Sequence, residues 1–432
     1  MLDTAPKKGF YLNLEALRGF AANTVVIGHC FGFSLLLNGV QLNQGIWGYQ
    51  LPGHFAVLLF FILSGYVIGI ASKQLSWQTT GAYLKKRFLR LYPIYVLVIL
   101  ITLGMTHHDY SLLEVFSNLT FMQRVASDCL YEVGADWSLN YEVLFYLLFI
   151  PVSIYALKPS HVFAGALLSG LFFQFLASIP LLAMYGYGFC FWLTGLWLAQ
   201  NTQTVPKPTS YYTLAGLLVL MLSFSSLNLV REVLHFNLNV DYMRAPSAPY
   251  GAGADGTTAI MPSDFSYRPL GILMITYFTD KRLRFGRFLL AFVLAVPPLY
   301  LLFQLYYSRT HVLNYEALVL PTGFYFGALV LLLAGRLRPA TTPVLLPGFM
   351  ITLGGLSYSI YLIHFIFIVL VGRVAFLKGS NLSFGVRLAT VLLLTLAVSY
   401  CLEKVWQPFA MRQLKKLRLF QDQRAVQYPI IS

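Results

Sequence analysis

Acidic side chains are scarce: 16 Asp and Glu stand against 30 Lys and Arg in 432 residues, and all charged residues make up 11% of the chain. So little charge cannot solvate a soluble protein of this size. The 58% of hydrophobic residues is also far more than one globular core would bury. Cysteine is scarce too. Cys30, Cys129, Cys190 and Cys401 form no close pair and no metal-type spacing, which argues against a disulfide framework or a cysteine zinc site. No internal repeat and no appended soluble domain can be read. The stretch after Lys7-Lys8 lacks a small-residue cleavage site, so the first apolar run is expected to be a retained span rather than a leader.

What is present is one apolar run after another. They lie near 15–37, 54–72, 92–107, 138–156, 161–183, 185–200, 211–230, 288–306, 317–335, 352–375 and 383–402. The expected fold is all-α, a polytopic transmembrane helix bundle of about 10–12 spans embedded in a lipid bilayer. Basic residues gather in the short breaks, as at Lys85-Lys86-Arg87, Lys281-Arg282, Arg336 with Arg338, and Lys415-Lys416. The positive-inside rule places such breaks in the cytoplasm, so the net charge of +14 is a topology signal. No aromatic-basic surface of the nucleic-acid kind accompanies it, and no nucleic-acid partner is expected. Both termini then fall on the cytoplasmic side, provided that the chain crosses once more near 266–280. Only Leu270 to Phe278 is apolar there, so that crossing should be irregular and walled off by protein.

The preceding loop, 231–267, is rich in Pro and Gly, including Ala245-Pro246-Ser247-Ala248-Pro249-Tyr250-Gly251, and reads equally well as a lid or as a segment without order. The chain divides into a transmembrane domain, 1–405, and a tail, 406–432. The part from Trp406 to Leu419 has the basic amphipathic pattern of a segment lying on anionic lipid.

Titratable groups within the spans are few, and each is informative. Arg18 and His29 stand eleven residues apart in one apolar run. Eleven residues return to nearly the same helix face about 16 Å further on, so the imidazole lies above the guanidinium, near mid-membrane. A histidine at that depth is either a working group facing a cavity or a packed one bonded to a carbonyl. Arg87 and Arg90 share a face ahead of Tyr92-Pro93 and suit a phosphate, although plain cytoplasmic anchoring explains them as simply. Ser138, Glu142 and Tyr146 share a face at the outer start of a span, where the carboxylate could orient an imidazole or meet a sugar hydroxyl. Ser357, Tyr361 and His364 make another polar stripe, in which His364 reads more readily as a bonded core histidine. His54 sits at the mouth of the second span, with no neighbour in sequence that gives it a role. His107-His108 lack metal-ligand spacing, and no metal is expected.

Five motifs together carry a resemblance. The run Leu14-Glu15-Ala16-Leu17-Arg18-Gly19-Phe20-Ala21-Ala22, continuing to His29, resembles the opening motif of the acyltransferase 3 family. Phe60-Phe61-Ile62-Leu63-Ser64-Gly65-Tyr66 is similar to the family's second-span signature, and Lys86-Arg87-Phe88-Leu89-Arg90-Leu91-Tyr92-Pro93 to its arginine pair. Trp137-Ser138-Leu139 with Glu142 and Tyr146 resembles its serine–glutamate signature, and Leu356 to His364 its late tyrosine–histidine motif. Glu15 stands where members usually carry Asp, and 231–280 matches no pattern of the family.

The resemblance implies an integral inner-membrane O-acyltransferase. It would move an acyl group, most often acetyl, from acyl-CoA to a hydroxyl of a glycan or lipid-linked sugar. Arg18, Arg87 and Arg90 would then hold the coenzyme phosphates. His29 would act as general base or be acylated itself, with Glu142 orienting or stabilising it, and Ser138, Tyr146, Tyr361 and His364 would contact substrate. The competing class is a proton-coupled transporter that uses His29, Glu142 and His364 as a relay.

Overall fold

In hydrocarbon no water can pair a backbone amide, so each apolar run closes on itself as a helix. The computed structural model describes residues 8–32, 49–106, 108–204, 208–241, 259–307, 315–342, 344–374 and 379–416. The helices are α1 (Lys8–Gly32), α2 (Gly53–Ala71), α3 (Trp77–Met105), α4 (Leu112–Leu119), α5 (Trp137–Ile154), α6 (Pro159–Phe175), α7 (Pro180–Asn201), α8 (Tyr211–Phe224), α9 (Leu229–Glu232), α10 (Arg268–Phe278), α11 (Gly286–Tyr307), α12 (Tyr315–Leu337), α13 (Gly348–Arg373), α14 (Asn381–Tyr400) and α15 (Gln407–Lys416). A two-residue antiparallel pair, β1 (Gln203–Thr204) with β2 (Lys281–Arg282), is the one sheet among the described residues.

The chain is a polytopic helical membrane protein. Among the described residues, nine helices are long and apolar enough to cross a membrane. Helix α1 is not among them, because Asn13, Glu15, Arg18, Asn23 and Thr24 hold its hydropathy down. Helices α6, with 17 residues, and α10, with 11, fall short of that length.

Several boundaries differ from those expected, each for a local reason. Helix α3 starts at Trp77 rather than near 92, since a Ser76–Thr79 capping box nucleates it and the basic run Lys85 to Arg90 continues the helix without being apolar. The break after α6 comes at residues 176–179, not near 184. Ser178 takes a left-handed conformation (φ 53°) and Pro180 opens α7 at its first turn. The expected boundary at 405/406 falls inside a helical run that continues from α14 through a π turn, Cys401–Trp406, into α15. The Pro- and Gly-rich centre of the 231–267 loop and the tail beyond Lys416 lie outside the described residues.

Two compact units emerge, one of residues 1–35, 40–73 and 157–354, the other of 36–39, 74–156 and 355–432. In the first, α2 packs on α7, α6 on α7, and α8 on α12. The α2–α7 crossing depends on a pair of glycines. A Cβ on Gly65 would lie 1.9 Å from the Trp192 carbonyl oxygen, and one on Gly195 would lie 1.9 Å from that of Ile62. Small residues let backbones approach in this way where lipid gives helices no hydrophobic reason to associate. Short α10, preceded by a 3-10 turn (Pro262–Tyr267), is buried along most of its length and packs against α1, α2, α7, α8 and α11.

The second unit has its own core, in which Ile94, Tyr95, Val98 and Ile99 of α3 meet Leu139 of α5 and Leu362, Ile363 and Ile366 of α13. At one edge Glu132 accepts from Thr106 and Tyr110, each at 2.7 Å, and from Arg373 at 2.9 Å. The Tyr110 phenol, in the loop before α4, is pushed up to about 12 by burial and by its bond to that carboxylate, and so remains a donor.

Replacing Gly195 by Val should be among the most damaging single changes in the first unit. The added atoms meet backbone that cannot yield, and overpacking of this kind costs about 1–3 kcal/mol or more. A fall in the thermal unfolding midpoint of the purified protein in detergent is expected. An unchanged midpoint would contradict the close crossing.

Candidate active site

Of the nine residues singled out from the sequence, Arg18 and His29 belong to the first unit, and Arg87, Arg90, Ser138, Glu142, Tyr146, Tyr361 and His364 to the second. Helix α1 runs unbroken beneath both Arg18 and His29. Arg18 donates to Glu15 at 3.0 Å, so its charge is already offset in part by the residue that stands where acyltransferase 3 members usually have Asp. Gly19 beside it allows α13 to come close: a Cβ there would lie 2.5 Å from the Met350 carbonyl oxygen. His29 is half-buried in the last turn of α1.

In the second unit the expected residues form two groups. The first is built on Arg87, which is 7% exposed. Its guanidinium carbon lies 5.4 Å from the centroid of the Tyr83 ring and 5.5 Å from that of Tyr146. Two aromatic faces thus stabilise a cation that has lost its water. The Tyr83 hydroxyl donates to the Tyr146 carbonyl at 3.3 Å, and the Tyr146 hydroxyl donates to Glu142. The i, i+4 spacing of Glu142 and Tyr146 accounts for that last bond. A chain of contacts therefore runs from Arg87 through Tyr146 to a half-buried carboxylate. Arg90, one turn along α3, is exposed. The two arginines share a face but not an environment.

The second group joins α5 to α13. Ser138 Oγ and the Tyr361 hydroxyl are 2.9 Å apart, and both residues are buried. His364 is fully buried, and its Nδ1–H donates to the Ile360 carbonyl at 3.1 Å.

Sequence reasoning missed what holds the arginine helix in place. Pro93 lies inside α3 and has no N–H for the Leu89 carbonyl four residues back. That carbonyl accepts instead from Gln407 Nε2 at 2.8 Å, while Trp406 Nε1 donates to the Pro93 carbonyl at 2.8 Å. The Tyr358 hydroxyl, from α13, donates to the Leu91 carbonyl at 2.9 Å. Trp406 and Gln407, expected to begin a lipid-bound tail, therefore bond to the kinked turn just after Arg90. The proline in an otherwise apolar helix was the available signal, since its orphaned carbonyl needs a donor from elsewhere.

Also missed was a charged cluster in the first unit. His54 Nε2 donates to Asp264 at 2.9 Å, Met261 N donates to the same carboxylate at 2.8 Å, and Arg231 approaches it at 4.0 Å. Asp264 sits in the loop that matched no pattern, 210 residues from His54 in sequence, so nothing local announced the pair. Among the described residues no cluster of three or more His, Cys, Asp or Glu side chains is placed to hold a metal ion.

A family model described as an acyltransferase domain matches residues 11–404. A stretch of 101 residues is 34% identical to Protein 2 in picA locus of Rhizobium radiobacter, covering 23% of this chain and 46% of that protein. The chain thus spans less than half the length of that relative. No solved structure matches the chain.

The bond from Gln407 to the Leu89 carbonyl has a sharp test. Gln407→Ala should destabilise the protein by about 1–3 kcal/mol, the cost of an unsatisfied buried acceptor. In a Pro93→Ala background the restored N–H serves that carbonyl, and the same change should cost only a few tenths of a kcal/mol. A double-mutant cycle on thermal stability reads the difference, and equal costs in both backgrounds would refute the assignment.

Proposed function

This chain belongs to the acyltransferase 3 family, and from that premise we propose that it moves an acyl group, acetyl in the first instance, from cytoplasmic acyl-CoA to a hydroxyl of a glycan or lipid-linked sugar. The family match over residues 11–404 carries the reading. What supports its donor side is a buried arginine with an exposed one a turn away, in the basic run Lys85 to Arg90 of α3. Arg90 presents its guanidinium to the coenzyme phosphates, and Arg87, seated on two tyrosine rings, adds charge from behind. Arg18 shares its charge with Glu15 and contributes less.

In the proposed reaction His29 takes the proton of the acceptor hydroxyl as the oxygen attacks the thioester carbonyl. The carbon–sulfur bond breaks, and the imidazolium returns the proton to the departing thiolate. An ester and coenzyme A result. Glu142 and Tyr146, with Ser138 and Tyr361, are the polar groups offered to substrate in the second unit. His364, fully buried and bonded to its own helix, orients the wall behind them.

Membranes with and without this protein, supplied with labelled acetyl-CoA, should differ by one acyl-bearing glycan or lipid product. Movement of a glycan without gain of label would favour transport instead. His29→Ala should leave the protein folded and lower transfer by about 10²–10⁴-fold, the contribution of a positioned base. Near-normal transfer by a well-expressed His29→Ala protein would end the general-base proposal.

Arg90→Gln should weaken acyl-CoA binding by about tenfold or more, as loss of a charge-assisted hydrogen bond implies. Arg87→Lys should not preserve wild-type binding, because an ammonium lacks the plane that stacks on Tyr83 and Tyr146. Unchanged coenzyme A affinity in both variants would reduce the pair to a topology anchor.

A further inference from the structure

Within the first unit, α6, α7, α10 and α11 line a half-open cavity of about 510 Å³, a size typical of small-molecule sites. Its walls are apolar, with Phe163, Leu193, Trp197, Ile272 and Leu289 on them, yet Arg268 lines it as well. The guanidinium carbon lies 4.2 Å from the Phe163 ring centroid, and Nε donates to Thr194 Oγ1 at 2.8 Å. Among the described residues no carboxylate pairs with it.

Depth makes this informative. The β1–β2 pair ties the end of α7 to the end of α10, pairing Gln203 with Arg282. Thr194 stands seven residues before Asn201, the last residue of α7, which puts the Thr194–Arg268 contact roughly 10 Å in from that end. A cation at that depth is costly unless something offsets it. One aromatic face and one hydroxyl offset part of that cost but leave the net charge. Asp264, four residues earlier, is held by His54 and Met261.

We propose that this cavity binds an anionic amphiphile, with its alkyl chain along the apolar walls and a phosphate-type head on Arg268. A phospholipid or the phosphate of a lipid-linked acceptor would supply the same chemistry. The proposal uses none of the donor-side arginines and holds whether or not the chain uses acyl-CoA.

The full chain, purified in an uncharged detergent, is titrated with dodecyl phosphate, and binding is read from the thermal unfolding midpoint. Dodecanol serves as the uncharged control of equal length. Dodecyl phosphate should raise the midpoint saturably and dodecanol should not. Arg268→Gln should weaken the effect at least tenfold, with Arg268→Lys intermediate. Ile272→Trp should abolish it by filling the cavity with the charge intact, which keeps the test open if Arg268→Gln fails to fold.

Equal stabilisation by dodecanol, or undiminished binding in Arg268→Gln or Ile272→Trp, would overturn the proposal. Displacement of dodecyl phosphate by a polyprenyl phosphate but not by phosphatidylglycerol would assign the site to a lipid carrier, and the reverse to bulk phospholipid. Displacement by neither, or equally by inorganic phosphate, would refute a lipid site.

Discussion

Everything in this molecule answers to one constraint: inside a membrane a backbone carbonyl without a donor has no water to turn to. Most of the chain meets it by forming helices. Where a helix is interrupted, side chains from elsewhere complete the bonding. Pro93 opens α3 at Leu89, and Gln407 closes it from a helix 318 residues further along the chain. Hydroxyl and amide side chains within the helices obey the same rule. Thr24 donates to the Phe20 carbonyl, Asn23 to that of Gly19 and Thr194 to that of Cys190, so none of them carries an unmet donor into the bilayer. The arginine motif is therefore more than two charges. It sits on a helix with an internal proline, around which Trp406, Gln407 and Tyr358 bond to the carbonyls of Pro93, Leu89 and Leu91.

The same constraint explains why the basic residues divide into kinds. Those in the breaks lie where the chain leaves its apolar runs. Several of those within helices are seated on something specific. Arg373 meets Glu132, Arg18 meets Glu15, and Arg231 lies near Asp264. These three are offset by carboxylates. Their worth is in fixing elements: the Glu132 site, for instance, gathers Thr106 and Tyr110 from one stretch of chain and Arg373 from another onto one buried acid.

Much of this was legible in the sequence, and the reasons for the misses are physical. Apolar runs marked the spans well because hydrocarbon demands them. They marked α3 poorly because its first turns are polar and then basic, and hydropathy does not see a helix whose apolar part begins partway along. The apolar run at Leu270 to Phe278 was readable as an element shorter than a full span. Its 11-residue helix is walled by neighbours on several sides. On the functional side, spacing was informative only along a single helix. It paired Glu142 with Tyr146, four residues apart. It could not pair Ser138 with Tyr361, 223 residues away, nor His54 with Asp264. Contacts of that kind are set by how helices pack, and a sequence read one element at a time does not contain them.

Arg87 and Arg268 have one feature in common. Neither pairs with a carboxylate among the described residues, and each rests on aromatic faces, Tyr83 and Tyr146 for one and Phe163 for the other. A carboxylate would cancel the charge. An aromatic quadrupole stabilises the cation without cancelling it, by about 0.5–2 kcal/mol, and leaves its field intact. Such a residue remains attractive to an anion that arrives later, whereas an arginine already bound to Glu or Asp has less to offer. The choice of partner thus separates arginines that hold the fold from arginines that hold a ligand. On that criterion a phosphate gains more at Arg87 or Arg268 than at Arg18, whose charge Glu15 already offsets.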